Sequence, residues 1–167
     1  MTFKLDKLIG ISMVIIRKGK IGEIKEIGQL WTDFMNYNSK FNDSFAMDEE
    51  AFEVFLKDIK SRCKDSDCYL SVAEKDGELV GFCYSYVSAK PKYFRLKKFG
   101  FIGDLFVKEA HRRIGIGGML VTDAMEFFEK KKVHQVELLV AVGNNNTFKF
   151  WEKYGFKHLL TWMYKRK

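Results

Sequence analysis

The residues best suited to chemistry lie in one stretch, Lys108-Glu109-Ala110-His111-Arg112-Arg113-Ile114-Gly115-Ile116-Gly117-Gly118. Its three glycines stand at the front of an amphipathic run, Ile116 to Lys131, that reads as a long helix. The first turn of a helix carries N–H groups without intrahelical partners, and the helix dipole is positive there. Glycine lets the backbone approach a bound group with no Cβ in the way. Arg112 and Arg113 add positive charge at the mouth. Such a loop suits an anion, above all a phosphate or diphosphate. A plain tight turn into the helix would use the same glycines, so spacing alone leaves the two readings level.

Two nucleotide motifs fit badly. A Walker loop ends in Gly-Lys-Ser/Thr, and no such triplet follows Gly118. A dinucleotide fingerprint needs a third glycine where this chain has Leu120. The strand before the loop also ends at Val107, eight residues ahead of Gly115, too far for that turn.

Arg112-x-x-Gly115-x-Gly117 resembles the R/Q-x-x-G-x-G/A signature of the GNAT N-acetyltransferase superfamily. Gly103-Asp104-Leu105-Phe106-Val107 resembles that family's fourth strand, which ends before the cofactor loop. A second block, Asn144-x-x-Thr147-x-x-Phe150-Trp151-Glu152-Lys153-x-Gly155-Phe156, is similar to the family's N-x-x-A-x-x-F-Y-E-K-x-G-F. The two blocks come in the family's order and cover Phe101 to Phe156, about a third of the chain. The first hundred residues agree only in the order of their elements.

The resemblance implies an α/β (α+β) fold: a mixed, mostly antiparallel sheet flanked by helices, whose fourth and fifth strands splay apart around acetyl-CoA. It implies that Leu105, Phe106 and Val107 pair their backbone with the pantetheine arm. Backbone N–H groups of Arg112, Arg113, Ile114, Gly115, Ile116, Gly117 and Gly118 would hold the diphosphate. Asn144 would hydrogen-bond the pantetheine, and Phe148 and Trp151 would flank the thioester. The activity implied is direct acyl transfer from acetyl-CoA, as co-substrate and without metal, to a primary amine in a ternary complex. The amine must lose a proton to attack, and the thioester oxygen needs a donor, for which an N–H near Val107 is suited.

The chain departs from the family pattern at the acid and the base. The usual tyrosine is Trp151, whose indole N–H donates a hydrogen bond but is no proton source at useful pH. Tyr154, one helical turn on, is the substitute acid, with packing against the sheet as its competing role. Some relatives carry a glutamate where this chain has Gly103, which leaves Asp104 as the candidate base. Asp104 is expected on a strand face shared with Ile102 and Phe106, where apolar neighbours would raise its pKa. A structural or solvent-bridged acid is the alternative for it.

Other groups carry less. His111 reads as an exposed loop residue, and His134 and His158 lack metal-ligand spacing. Asp65-Ser66-Asp67 lacks the Gly and Glu of a calcium loop. Trp31, Phe34 and Tyr37 repeat at helical spacing, which reads as core before acceptor groove. Lys90 to Lys98 holds five basic residues among Tyr93, Phe94 and Phe99, which reads first as a solvated loop. Cys63, Cys68 and Cys83 are odd in number without a C-x-x-C pair, as expected of reduced thiols in a cytoplasmic chain.

Periodicity supplies the elements that must hold these groups. Strands are expected at Ile11–Arg17, Cys68–Ala73, Leu79–Val87, Phe101–Val107 and Val136–Val142, the last buried on both faces. Helices are expected at Gly22–Tyr37, at Asp48–Ile59 with Asp48 as N-cap, at Ile116–Lys131 and at Thr147–Tyr154. Lys75-Asp76-Gly77-Glu78 is a hairpin turn signal. One or two further strands are expected in Phe156–Lys165. The apolar start, Leu8 to Ile16, reads as a first strand rather than a signal peptide, since Arg17 and Lys18 follow it.

Composition bounds the rest. At 167 residues, 47% hydrophobic and 31% charged, the chain is expected to be one domain, 1–167. Its longest apolar run falls well short of the roughly 20 residues of a membrane helix. The net charge of +7 favours polyanions in general. It argues mildly against a polycationic acceptor. The expected partner is an amine of unknown identity, with no membrane or nucleic acid, and a homodimer is left open. The competing readings are a catalytically weak acyl-CoA sensor, prompted by Trp151, and a basic nucleic-acid-associated protein.

Overall fold

The computed structural model of the chain describes residues 13–165. A five-stranded sheet runs in sequence order, β1 (Val14–Lys18), β2 (Cys68–Lys75), β3 (Glu78–Ala89), β4 (Lys98–Val107) and β5 (Val136–Leu138). The first three pairings are antiparallel and the β4–β5 pairing is parallel. Four helices flank it: α1 (Ile24–Ser39), α2 (Ala51–Arg62), α3 (Ile116–Lys130) and α4 (Asn145–Lys153). This is the mixed, mostly antiparallel architecture expected from the sequence.

Alternation along the strands sorts the core into two layers. Leu70, Val72, Phe82, Tyr84 and Phe106 face α1 and α2, where they meet Ile27, Leu30 and Ile59. Ala73, Cys83 and Ile102 face the other way, toward Leu120, Ala124 and Phe128 of α3 and Trp151 of α4. The β2–β3 hairpin turns at Asp76 and Gly77, with φ of 53° and 84°, the paired positive angles that an Asp-Gly turn supplies.

The helix starts differ from expectation. Asp48 does not cap α2. Its Oδ1 accepts from the N–H of Glu50 at 3.1 Å, closing a local turn, and the helix begins at Ala51. A 3-10 turn, Ile21–Glu23, precedes α1. There Glu23 accepts from the Lys20 N–H at 2.9 Å and from both terminal nitrogens of Arg17, at 2.9 and 2.6 Å. Arg17 also reaches Glu74 across the β1–β2 pair. Chiefly through the Arg17 hydrogen bonds, the Glu23 carboxyl is held down at about 2. A carboxyl depressed on folding stabilises fully above its ordinary range, and the gain is lost as pH falls toward 2. Glu23→Gln is therefore expected to cost about 1–2 kcal/mol at pH 7. The difference should shrink steadily below pH 4, read by urea denaturation across that range.

Two strand expectations fail at the C-terminal side. Val136–Val142 was expected as a strand buried on both faces, yet only Val136–Leu138 pairs, at the sheet edge. Beyond Leu138 the chain has no strand to bond, and Leu139 and Val142 are exposed. In Phe156–Lys165 no strand forms. An edge of three residues offers too little ladder for another strand, and the segment is held instead by ring contacts, Phe156 against Trp151 and His158 against Phe148, both at 5.1 Å. Of the expected first strand, Ile11 and Ser12 lie outside the described residues.

Candidate active site

The site begins with one extra residue in β4. Tyr84 pairs with Asp104, but Ser85 pairs with Ile102, so Gly103 has no partner on β3 and forms a β-bulge. A bulge reverses the side-chain parity of the strand. Ile102 therefore joins the α3 layer while Phe106 joins the α1/α2 layer. The expected face shared by Ile102, Asp104 and Phe106 does not exist; Asp104 lies opposite Tyr84, on the side of Phe106.

The bulge also opens the sheet. Up to Ile102, β4 pairs with β5 through Gly100↔Val136, Phe101↔Glu137 and Ile102↔Leu138. From Gly103 on, the strands part, and a cavity of about 540 Å³ fills the gap. Gly103, Leu105, Phe106 and Val107 form one wall, and Leu138 to Ala141 form the other. The apolar residues 139–141 thus serve the cavity instead of a buried strand, and Val142 is left exposed. Phe34 and Tyr37 of α1 also line it, while Trp31 of the same stripe stacks on Phe55 at 4.2 Å.

The glycine loop closes one end. Arg113 and Gly115 take positive φ, 66° and 92°, and α3 begins directly after. None of the backbone N–H groups from Arg113 to Gly118 bonds to a described residue. Ile116 anchors the helix start in the core at 1% exposure. Successive free amides around left-handed residues form a concave anion nest, reinforced here by the helix dipole. The amide set starts one residue later than expected, because the Arg112 N–H bonds to the Glu109 carbonyl at 3.2 Å.

The Arg112 side chain turns away from the nest. Its Nε donates to the Val107 carbonyl at 2.9 Å, and its guanidinium lies over Tyr37 and Phe106, at 5.0 and 5.4 Å. Arg112 therefore ties the end of β4 to α1 and adds no charge at the loop mouth. Arg112→Ala is expected to lower stability by about 1–3 kcal/mol through the lost hydrogen bond and ring contacts. Lysine keeps the charge but lacks the planar fork, so Arg112→Lys should recover less than half of the loss in thermal or urea denaturation.

The remaining candidates divide. Asn144 is buried and caps α4, its Oδ1 accepting from the Thr147 N–H at 3.2 Å, which leaves Nδ2 as its free donor at the cavity. Trp151 lines the cavity floor and is 6% exposed. Phe148 stacks on His158 at 5.1 Å and is not part of the wall; neither are the side chains of Ile114 and Ile116. Tyr154 reaches the nest: a Cβ on Gly118 would stand 2.0 Å from its hydroxyl. Asp104 stands beside the wall formed by Gly103 and Leu105, and burial lifts its carboxyl to about 6, opposed by the positive charge of Arg62. Phe34, Tyr37 and Asn38 are lining residues that sequence reasoning missed or undervalued. The spacing of Phe34 and Tyr37 was visible, but nothing local showed that α1 crosses the cleft.

A five-stranded sheet parted around a cavity that ends in an amide nest defines a binding fold suited to a phosphate-bearing ligand. The family model for the acetyltransferase (GNAT) family matches residues 26–156, and the chain belongs to this family. It is 24% identical over 142 residues to the uncharacterized N-acetyltransferase YhfO of Bacillus subtilis (strain 168), covering 85% of this chain and 89% of that one. It is 32% identical over 102 residues to an N-alpha-acetyltransferase of Sulfurisphaera tokodaii, covering 58% of this chain and 60% of that one. In fold it matches the aminoglycoside N-acetyltransferase AAC(6')-Iy in complex with CoA, with a TM-score of 0.78, 15% identity, and coverage of 95% and 97%. The protein is an acyl-CoA-dependent N-acetyltransferase with acetyl-CoA as co-substrate.

The residues present fit that molecule. Free amides with Arg113, Lys149 and Lys153 nearby on the cavity lining would suit its phosphates, and the parted strands leave room for an extended arm. Among the described residues, no helix is long and apolar enough to cross a membrane. No group of three or more His, Cys, Asp or Glu among them could hold a metal ion.

Proposed function

We propose that this chain, working as one domain over 1–167, acetylates a primary amine by direct attack within a ternary complex. The observation that carries the reading is the cleft opened at Gly103 and ended by the Arg113–Gly118 nest. Bound acetyl-CoA supplies an activated acyl carbonyl and a thiolate leaving group. The nest amides hold its diphosphate, and the open edge of β4 from Leu105 to Val107 pairs with the arm. Asn144 donates to the arm through Nδ2. An N–H near Val107 faces the carbonyl oxygen as it gains charge.

Asp104 removes the amine proton, directly or through one water, at the gap left by Gly103. A carboxylate lifted to about 6 is still ionised at neutral pH, and it is a stronger base than an exposed one. Tyr154 stands at the diphosphate end, so we assign it to binding there. Thiolate departs without a dedicated acid.

The acceptor is an amine on a neutral or acidic body, such as a peptide N-terminus or a small metabolite. The net charge of +7 would repel a polycation. The remaining wall, with Phe34, Tyr37, Leu139 and Val140, suits an apolar body. The test is CoA thiol release over a panel of peptides, monoamines, polyamines and aminoglycosides. Turnover confined to peptides or monoamines is expected. Preference for spermidine or an aminoglycoside overturns the acceptor class, and no release with any amine overturns the function.

A further inference from the structure

We propose that the end of the sheet remote from the cleft binds single-stranded nucleic acid. The β3–β4 connection carries Lys92, Arg95 and Lys97, which sequence alone reads as a solvated loop. The fold sets the C-terminal end of α3 against it: Lys98 Nζ donates to the Lys131 carbonyl at 2.6 Å, and Lys132 follows. Two basic stretches distant in sequence thus form one face.

Most of this charge is uncompensated. Lys90 is neutralised by Glu137 at 2.7 Å and Lys131 by Asp67 at 2.9 Å. No carboxylate among the described residues pairs with Lys92, Arg95, Lys97, Lys98 or Lys132. Five such charges on one face attract a polyanion.

The rings narrow the choice of polyanion. Tyr93 is 83% exposed and Phe94 is 49% exposed, with centroids 4.8 Å apart, between the cations. Their turn is pinned by the Phe94 N–H on the Pro91 carbonyl at 3.0 Å and the Lys90 N–H on the Lys97 carbonyl at 2.8 Å. Cations interleaved with exposed rings match a chain that alternates phosphates with flat bases. An acidic peptide would answer the charge and leave the rings unused. The face lies a full β4 length from the coenzyme loop, about 30 Å at strand rise, so both ligands can bind at once.

The experiment measures fluorescence anisotropy of labelled U12 and dT12 on the full chain, saturated with CoA to block the nest, from 25 to 200 mM NaCl. Binding should weaken linearly in log salt, with a slope of about −2 to −3, as three or four phosphate contacts give. Lys92→Glu/Arg95→Glu/Lys97→Glu should weaken it at least tenfold and leave CoA affinity unchanged. Tyr93→Ala/Phe94→Ala should weaken it about tenfold at every salt concentration without changing the slope. The ratio of U12 to dT12 affinity assigns RNA or DNA. No binding at 25 mM, wild-type affinity in the charge-reversed variant, or polyglutamate competing as well as U12 with the ring variant unaffected would each overturn the proposal.

Discussion

Gly115→Val is expected to raise the dissociation constant for CoA by at least about 100-fold while the domain stays folded. Gly115 has φ of +92°, and a β-branched residue is strained there by about 1–2 kcal/mol. Nothing lies within 4 Å of a Cβ built at this position, so the effect is conformational and not a clash. The chain relieves the strain by turning the peptide planes of residues 114–117, which points their N–H groups out of the nest. Each charge-assisted hydrogen bond so lost is worth roughly 1.5–3 kcal/mol, so one or two account for the effect. Asparagine tolerates left-handed φ, so Gly115→Asn should stay within tenfold of wild type. Calorimetric titration with CoA, beside a thermal melt of each variant, separates binding from folding. Wild-type affinity in the valine variant would mean that these amides hold no diphosphate.

Asp104→Asn should move stability and activity in opposite directions. Burial raises the Asp104 carboxyl from its ordinary value to about 6, and Arg62 only partly offsets the rise. Between those two values the folded chain binds more protons than the unfolded one, so stability falls as pH rises through this window. A rise of about two units corresponds to roughly 2–3 kcal/mol. The asparagine variant lacks that loss, so it should be more stable than wild type at pH 7 by up to this amount and level with it at pH 4. Its kcat/KM should fall about 100-fold at pH 7, within the range of a lost general base. The acid limb of the wild-type profile, near pH 6, should vanish with it. A variant that gains stability and keeps wild-type kcat/KM would make Asp104 a buried acid without a part in catalysis.

The elements were legible wherever the signal was local. Asp76-Gly77 announced its turn because few other pairs adopt two positive φ angles. The glycines from Gly115 to Gly118 offered an anion nest and a plain tight turn equally, because a helix start and a missing Cβ serve both, and the unbonded amides of the folded chain favour the nest. The expected GNAT resemblance was carried by these residues and by the Asn144–Phe156 block, and the family match over 26–156 agrees with it. Local signals failed at Val136–Val142, where an apolar run pointed to a buried strand. Whether such a run pairs depends on a partner strand that sequence spacing does not reveal.

Taken alone, the sequence determined the order of strands and helices as far as α4, the glycine loop ahead of α3 and the excess of positive charge, since each depends on residue type and near neighbours. Tertiary structure decided what the bulge at Gly103 does: it sends Asp104 to the α1/α2 layer and parts β4 from β5. It also turned Arg112 from the loop mouth onto the Val107 carbonyl and two rings, and it brought Lys132 to the basic β3–β4 loop. These outcomes rest on hydrogen-bond register and on contacts between residues far apart in the chain. No window of local sequence contains that information.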